Sequence, residues 1–324
     1  MKRIHLAAVA GLAATALTLT ACGSAGSSSG SSSAAGGSGG GSGTVAGQLV
    51  LGGPPEFQTR ADGIPGLKSK YDVTFKSFKA LDAGGPLTIN ALKGGQIQAG
   101  DIFTTDPSIE ANGFVVLDDP QNLYTAQNVL PLINKQKATP GVTATLKAVS
   151  DKLTTDDLVD LNKKVQVDKQ DAAQVAKDWL SSKGLDSSGS QASGVSLVVG
   201  SANFQENVTL ADIYAAALQA QGATVTTKLN IGSRETYIPG LQDGSIDLIP
   251  EYSGVLLQYF DKTATAVSSD DVFAALPGAL SSAAPTLTVL DQSQAQDKDA
   301  IVVTKQTADK YKLKSIADLA KTSS

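Results

Sequence analysis

The residues able to do chemistry are few, and they sit at the ends of short apolar runs. Asp106 follows Ile102-Phe103-Thr104-Thr105, and Glu251, Tyr252 and Ser253 follow Leu248-Ile249-Pro250. Two such carboxylates could flank a glycosidic bond, but hydrolysis needs one carboxyl of raised pKa and a fixed separation, which sequence spacing does not supply. Nucleophilic systems fare worse. The chain has 1 His and 1 Cys, His5 and Cys22. If both are removed or modified during export, Ser-His-Asp and Cys-His pairs and His/Cys metal sites are excluded by inventory, as are disulfides. Carboxylates, Lys, Arg, Tyr and hydroxyls remain, a palette suited to binding. No catalytic residue, metal or cofactor is expected.

The position of Cys22 supports that premise. Lys2 and Arg3 form a basic start, residues 5–16 are mostly Ala, Leu, Val and Gly, and Leu19-Thr20-Ala21-Cys22 places small residues before the cysteine. This reads as a lipoprotein signal over residues 1–22, with Cys22 lipidated. The apolar run falls short of the roughly 20 strongly apolar residues of a membrane span. The expected location is the extracytoplasmic face of the cell membrane, held by a lipid anchor. The net charge of -5 and the absence of any basic run argue against nucleic acid as a partner.

The elements that must position the chemistry come in two blocks. Residues 23–47 are Gly, Ser and Ala with little else, a flexible tether reaching roughly 25 to 30 Å by random-coil scaling. A second such tract, residues 186–194, divides the rest of the chain. The blocks open alike, on Leu49-Val50-Leu51-Gly52-Gly53-Pro54-Pro55-Glu56-Phe57 and on Leu197-Val198-Val199-Gly200-Ser201-Ala202-Asn203-Phe204. Each continues through a helix and strand to a second motif in which a helix ends in Gly and a short strand ends in polar or aromatic residues. This is βαβ grammar written twice, and it predicts α/β lobes with mostly parallel sheets. Ligands bind outside the carboxyl ends of such strands, where Phe57, Thr104 to Asp106, Asn203, Phe204, Glu251 and Tyr252 fall. Between two such lobes lies a hinged cleft. The alternative for each ring is an ordinary place in the core.

At these residues the sequence resembles a known family. Val198 to Asn207, Leu229 to Tyr237 (with Gly232-Ser233-Arg234-Glu235), Asp247 to Gly254, Asp297 to Val303 and Leu51 to Phe57 are similar to the substrate-binding proteins of ABC transporters for glycine betaine, choline and related quaternary amines. The resemblance covers nearly all of residues 48–185 and 195–319. It implies a two-lobed, periplasmic-binding-protein-like fold of type II, with no enzymatic activity, that delivers an osmoprotectant to an ABC permease and ATPase. A monomer is expected. The segment order departs from the family, whose members begin at the block resembling Val198 and end at the run resembling Val175 to Leu180. The chain therefore reads as circularly permuted, with residues 186–194 joining the old ends. On this reading one lobe, lobe II, holds residues 48–110 and 304–324, and the other, lobe I, holds residues 111–303. Residues 151–185 read as a packing helical tail with Trp179 as its anchor.

The ligand class so implied sets the chemistry. A quaternary ammonium donates no hydrogen bond and is held by aromatic faces. Phe57, Phe204, Tyr237 and Tyr252 are the expected rings. A carboxylate tail would be met by Arg60, Asn203 and Thr105, with Thr104 and Ser253 nearby, whereas Asp106 or Glu251 would balance the cation of choline. An amino acid or polyol ligand needs no aromatic cage and is the alternative within the binding class. A ligand-sensing lobe pair without transport is the alternative outside it.

Overall fold

The computed structural model describes residues 43–323. The expected signal, Cys22 and most of the tether lie outside the described residues. The tether read from composition extends to residue 47, but its last residues are folded. Val45 and Ala46 are buried in the core beside Leu49 and Leu319. These two side chains give the segment apolar surface to bury, which the Gly/Ser stretch before them lacks.

Two five-stranded sheets organise the chain. The first holds β1 (Val50–Gly53), β2 (Ser77–Ala80), β3 (Ala99–Phe103), β4 (Phe114–Val116) and β10 (Asp299–Thr304), in the order β2-β1-β3-β10-β4. The second holds β5 (Val129–Asn134), β6 (Ser196–Gly200), β7 (Thr224–Lys228), β8 (Leu248–Tyr252) and β9 (Leu287–Val289), in the order β7-β6-β8-β5-β9. These are one pattern used twice: two βαβ units give three parallel strands, and the strand arriving from the other lobe is inserted antiparallel beside the third. This is the two-lobed type II arrangement. The parallel pairing expected from the βαβ grammar covers three strands per sheet, and the crossing strand makes each sheet mixed.

Sheet membership moves the expected lobe boundaries. The cuts at 110/111 and 303/304 would place β4 and β10 in the second lobe, whereas both pair in the first sheet. The reason is register: Asp299 lies opposite Phe103 and Val303 opposite Ala99, so β10 completes the sheet that β3 would otherwise leave with an open edge. The chain crosses over near Gln127 and returns near Asp297. Alternation along β10 serves both faces, with Ile301 and Val303 in one core and Ala300 and Val302 in the other.

Helices cover the sheets. In the first lobe α1 (Ile64–Tyr71) and α2 (Pro86–Lys93) form the crossovers, and α3 (Ser108–Ala111) and α11 (Lys305–Tyr311) flank them. In the second lobe α4 (Pro140–Ser150), α5 (Thr155–Asn162) and α6 (Ala172–Ser182) pack with α7 (Gln205–Ala220). On the opposite face lie α8 (Arg234–Asp243), α9 (Ser253–Phe260) and α10 (Ser269–Ala283). The predicted helical tail is α5 and α6 joined by one π-helical turn over Lys163–Val167, with Trp179 5% exposed in the core. Gly244 ends α8 at φ 80°, a left-handed cap that suits Gly because it has no Cβ. The tract at 186–194 is not a boundary between lobes. It runs within the second lobe, where Gly189 and Ala192 donate to the carbonyls of Ala220 and Gln221 at 2.8 and 2.9 Å. The first and last of the described residues are stitched together in the first lobe, Val45 N to Lys321 O and Ser323 N to Gly43 O, each at 2.9 Å.

Candidate functional site

The carboxyl ends of β1 and β3 face those of β6 and β8 across an interlobe cavity of about 670 Å³. Each contributing loop is built locally. After β6 the chain turns through Ala202 and Asn203 into α7, held by Asn207, which accepts from Ala202 N at 2.8 Å and donates to Pro250 O at 2.9 Å. After β8 it enters α9 directly. There Gly254 is required, because a Cβ would lie 2.5 Å from Ala126 O and 2.2 Å from Thr125 Oγ1 in the crossover segment.

Aromatic rings line the junction of the lobes. Phe103, the last residue of β3, meets Phe204 of the other lobe at 5.0 Å between centroids, and Phe204 meets Tyr252 at 5.9 Å. Tyr237, Tyr259 and Phe260 complete the aromatic wall of the cavity. The Phe103–Phe204 pair also bounds a second cavity of about 840 Å³ between α2 and the start of α6, so the rings divide one cleft into two chambers.

Of the residues expected at a site, Arg60, Asn203, Phe204, Tyr237 and Tyr252 line the first chamber. Phe57 does not. It is fully buried, stacked on Phe78 at 6.4 Å, and carries the Arg60 guanidinium over its ring at 5.6 Å. Its apolar neighbours Leu51 and Leu67 make it core. Glu251 is fully buried behind the wall. It accepts from Arg234, Nε to Oε1 at 3.0 Å and Nη2 to Oε2 at 2.7 Å, from the Tyr237 hydroxyl at 2.7 Å and from Tyr252 N at 3.1 Å. A carboxylate so saturated holds Arg234 and Tyr237 in place rather than meeting a ligand. Asp106 lines the second chamber, accepts from Ser108 N at 2.7 Å, and has its carboxyl pKa raised by burial. Ser253 is buried between Asn128 N, from which it accepts at 3.0 Å, and Ala126 O, to which it donates at 3.2 Å. It pins β8 to the crossover.

Thr104 and Thr105 belong to a network that the sequence did not disclose. At its centre are Glu206 of the first turn of α7 and Asp297 of the returning crossover, both joined to Thr105. Glu206 Oε2 accepts from Thr105 Oγ1 and Asn162 Nδ2, both at 2.6 Å, and its Oε1 accepts from the Tyr252 hydroxyl at 2.7 Å. Asp297 Oδ1 accepts from Thr105 N at 3.1 Å and from Thr104 Oγ1 at 3.3 Å. Burial lifts both carboxyls above the usual carboxylate range, and the charge of Glu206 lifts Asp297 further. Glu206 thus ties Thr105 of the first lobe to Asn162 and Tyr252 of the second.

A second acidic group lies on the wall from the first lobe. Arg60 donates through Nε and Nη2 to Asp62, each at 2.9 Å, and through Nη2 to Asp299. Asp101 lies behind and hydrogen-bonds Asp299; burial, then the Asp299 charge, raises it so that it holds a proton. The missed residues are therefore Phe103, Glu206, Arg234, Asp297 and Asp299. One signal was available, since all of them, Glu206 within Val198 to Asn207 included, fall in or beside the motifs already singled out. Among the described residues no group of three or more His, Cys, Asp or Glu side chains could hold a metal ion.

Comparison with known proteins accords with this geometry. The chain matches the family described as the substrate-binding domain of the ABC-type glycine betaine transport system (OpuAC), in two segments, residues 42–182 and 195–324. It is 30% identical over 132 residues to the ergothioneine transport permease/ergothioneine binding protein EgtU of Helicobacter pylori, covering 40% of this chain and 24% of that protein. It is 27% identical over 145 residues to the glycine betaine-binding protein YehZ of Escherichia coli, covering 43% and 48%. The matched stretches thus span less than half the length of these relatives. An ancestral arginine-binding protein bound to arginine overlays at a TM-score of 0.39 with 14% identity, covering 84% of this chain and 90% of that one. The family match takes in both βαβ blocks and every loop around the cavity: the chain belongs to the substrate-binding domain family of ABC-type glycine betaine transport systems.

Proposed function

We propose that this protein is the extracytoplasmic solute-binding lipoprotein of an ABC importer, that it holds one quaternary amine in the first chamber, and that it delivers it to the permease and ATPase as a monomer. The observation that carries the reading is the wall of Phe204, Tyr237 and Tyr252 on an interlobe cavity flanked by buried carboxylates. Ring faces and excess negative charge suit a cation that cannot donate a hydrogen bond. Phe103 and Tyr259 join the expected cage, while Phe57, Asp106, Glu251 and Ser253 support it from behind or from the second chamber. Calorimetry with choline, glycine betaine, carnitine and proline tests the reading. One-to-one binding of a quaternary amine without turnover supports it, and binding of proline alone refutes it.

We also infer that the chain is circularly permuted. The family match in two segments, the joint at 186–194 inside one lobe, and the hydrogen bonds between residues 43–45 and 321–323 all support this. Both sheets share one strand order, so moving the ends from one lobe to the other preserves two crossovers and exchanges only which lobe comes first. For the membrane anchor, intact-mass analysis of membrane-derived protein decides: lipid on Cys22 is expected, and an unmodified Cys22 refutes it.

A further inference from the structure

The first chamber is larger than a compact quaternary amine. Its volume of about 670 Å³ lies within the roughly 300 to 1,000 Å³ of clefts that take drug-sized ligands. Its lining does not stop at the strand ends. On α8 it continues from Arg234 through Ile238 to Gln242, on α9 it takes in Val255, Gln258 and Tyr259, and it reaches Ala283 at the end of α10. Steps of three and four residues put each set on one face of its helix. Both helices begin at the cleft, α9 directly after Tyr252 and α8 at the Arg234 that binds Glu251. The lining therefore forms a groove that leaves the rings and runs outward between the two helices. From Arg234 to Gln242 it covers about 12 Å, at about 1.5 Å of helix rise per residue.

The floor of this groove is apolar. Ile238 is buried, and Tyr259 and Phe260, edge to face at 5.1 Å, are half-buried. Its own charged side chains, Glu235 and Lys262, are exposed and opposite in sign, so burial of apolar surface rather than charge decides what it holds. All of these residues belong to the second lobe, and hinge movement between the lobes leaves the walls of the groove in place. A trimethylammonium group against Phe204 and Tyr252 does not reach Gln242 or Ala283; only a substituent carried beyond the cation extends that far.

We propose, building on the quaternary-amine reading, that the groove between α8 and α9 is a separate subsite for an apolar substituent, and that the preferred ligand is a quaternary ammonium compound bearing an extended apolar chain or ring rather than a compact osmolyte. Gln258 stands at the middle of this subsite and Ala283 at its far end.

The test is calorimetric titration of the purified chain with choline, acetylcholine, butyrylcholine and hexanoylcholine. Each buried methylene is worth about fourfold in affinity, so hexanoylcholine is expected to bind at least about tenfold more tightly than acetylcholine, even with part of its chain in water at the rim. Gln258→Trp fills the middle of the groove and Ala283→Trp its far end. Gln258 Oε1 accepts no hydrogen bond among the described residues and Ala283 is exposed, which suits both positions to a larger side chain. In these variants the advantage of hexanoylcholine should fall below about threefold while choline keeps its affinity. Thermal melts establish which variants fold, and should one fail, the other and the wild-type series carry the test. Hexanoylcholine binding no more tightly than acetylcholine overturns the proposal and leaves the quaternary-amine reading standing, as does an advantage that persists in every folded variant. Binding of none of these amines overturns both.

Discussion

The ring and the hydroxyl of Tyr252 have separable roles, and two substitutions divide them. Tyr252→Phe removes only the hydroxyl that donates to Glu206 Oε1 at 2.7 Å. Glu206 keeps Thr105 and Asn162 on its other oxygen, but one donor to a buried carboxyl is lost. Hydrogen bonds to charged groups contribute about 1.5 to 3 kcal/mol. Because Glu206 keeps those two donors, the lower end, about 1.5 kcal/mol, is expected. That corresponds to a fall in Tm of roughly 3 to 6 °C for a chain of this size. The ring stays beside Phe204, so ligand affinity should change less than about threefold. Tyr252→Ala removes the ring as well, forfeiting a cation–π contact of about 1 to 2 kcal/mol in a desolvated site, or roughly five- to thirtyfold in affinity. Calorimetry for affinity and differential scanning calorimetry for stability read the two effects independently. Equal affinity losses in both variants would show that the hydroxyl, not the ring, meets the ligand, and full affinity in Tyr252→Ala would place the cage elsewhere.

The same geometry sets further expectations. Arg234→Gln leaves Glu251 buried without its cation and should cost about 3 to 5 kcal/mol in urea unfolding, with part regained in the double variant with Glu251→Gln; additive losses would contradict the pairing. Phe103→Ala removes the ring pair joining the lobes and should weaken ligand binding at least about threefold, measured by titration, without moving the second lobe's core. Asp212 on α7 is raised to about 6 by burial and then by the charge of Asp171. Its folded-state pKa lies above the unfolded value, so stability falls as pH rises from about 4 to 6, and Asp212→Asn should add about 1 to 2 kcal/mol at pH 7.5, after discounting for partial exposure, and little at pH 4. Deleting residues 321–324 removes the stitches to Gly43 and Val45, and should speed hydrogen exchange in Val45 to Gly53 while leaving Leu197 to Val199 protected.

The sequence by itself determined the two βαβ blocks, the chemistry that the chain lacks, and the positions of Tyr237, Tyr252, Asn203, Phe204 and Arg60 near the strand ends. These follow from local causes: apolar runs of strand length, Gly caps such as Gly244, and the rule that parallel strands present their carboxyl ends to one side. Only the tertiary structure decided which polar groups meet. Arg60 and Asp299 are 239 residues apart, and Thr105 and Glu206 are 101 apart. Their meeting depends on β10 crossing back from the second lobe to lie antiparallel to β3 in one register. A period read along the chain carries no information about that register. The same crossing strand explains why lobe boundaries drawn from segment order fell short, for a strand completes whichever sheet leaves its backbone groups unpaired. Phe57 and Glu251, both placed at strand ends by sequence, turned inward for a related reason: a ring among Leu51, Leu67 and Phe78 is core, and a carboxylate met by Arg234 and Tyr237 is stable without water.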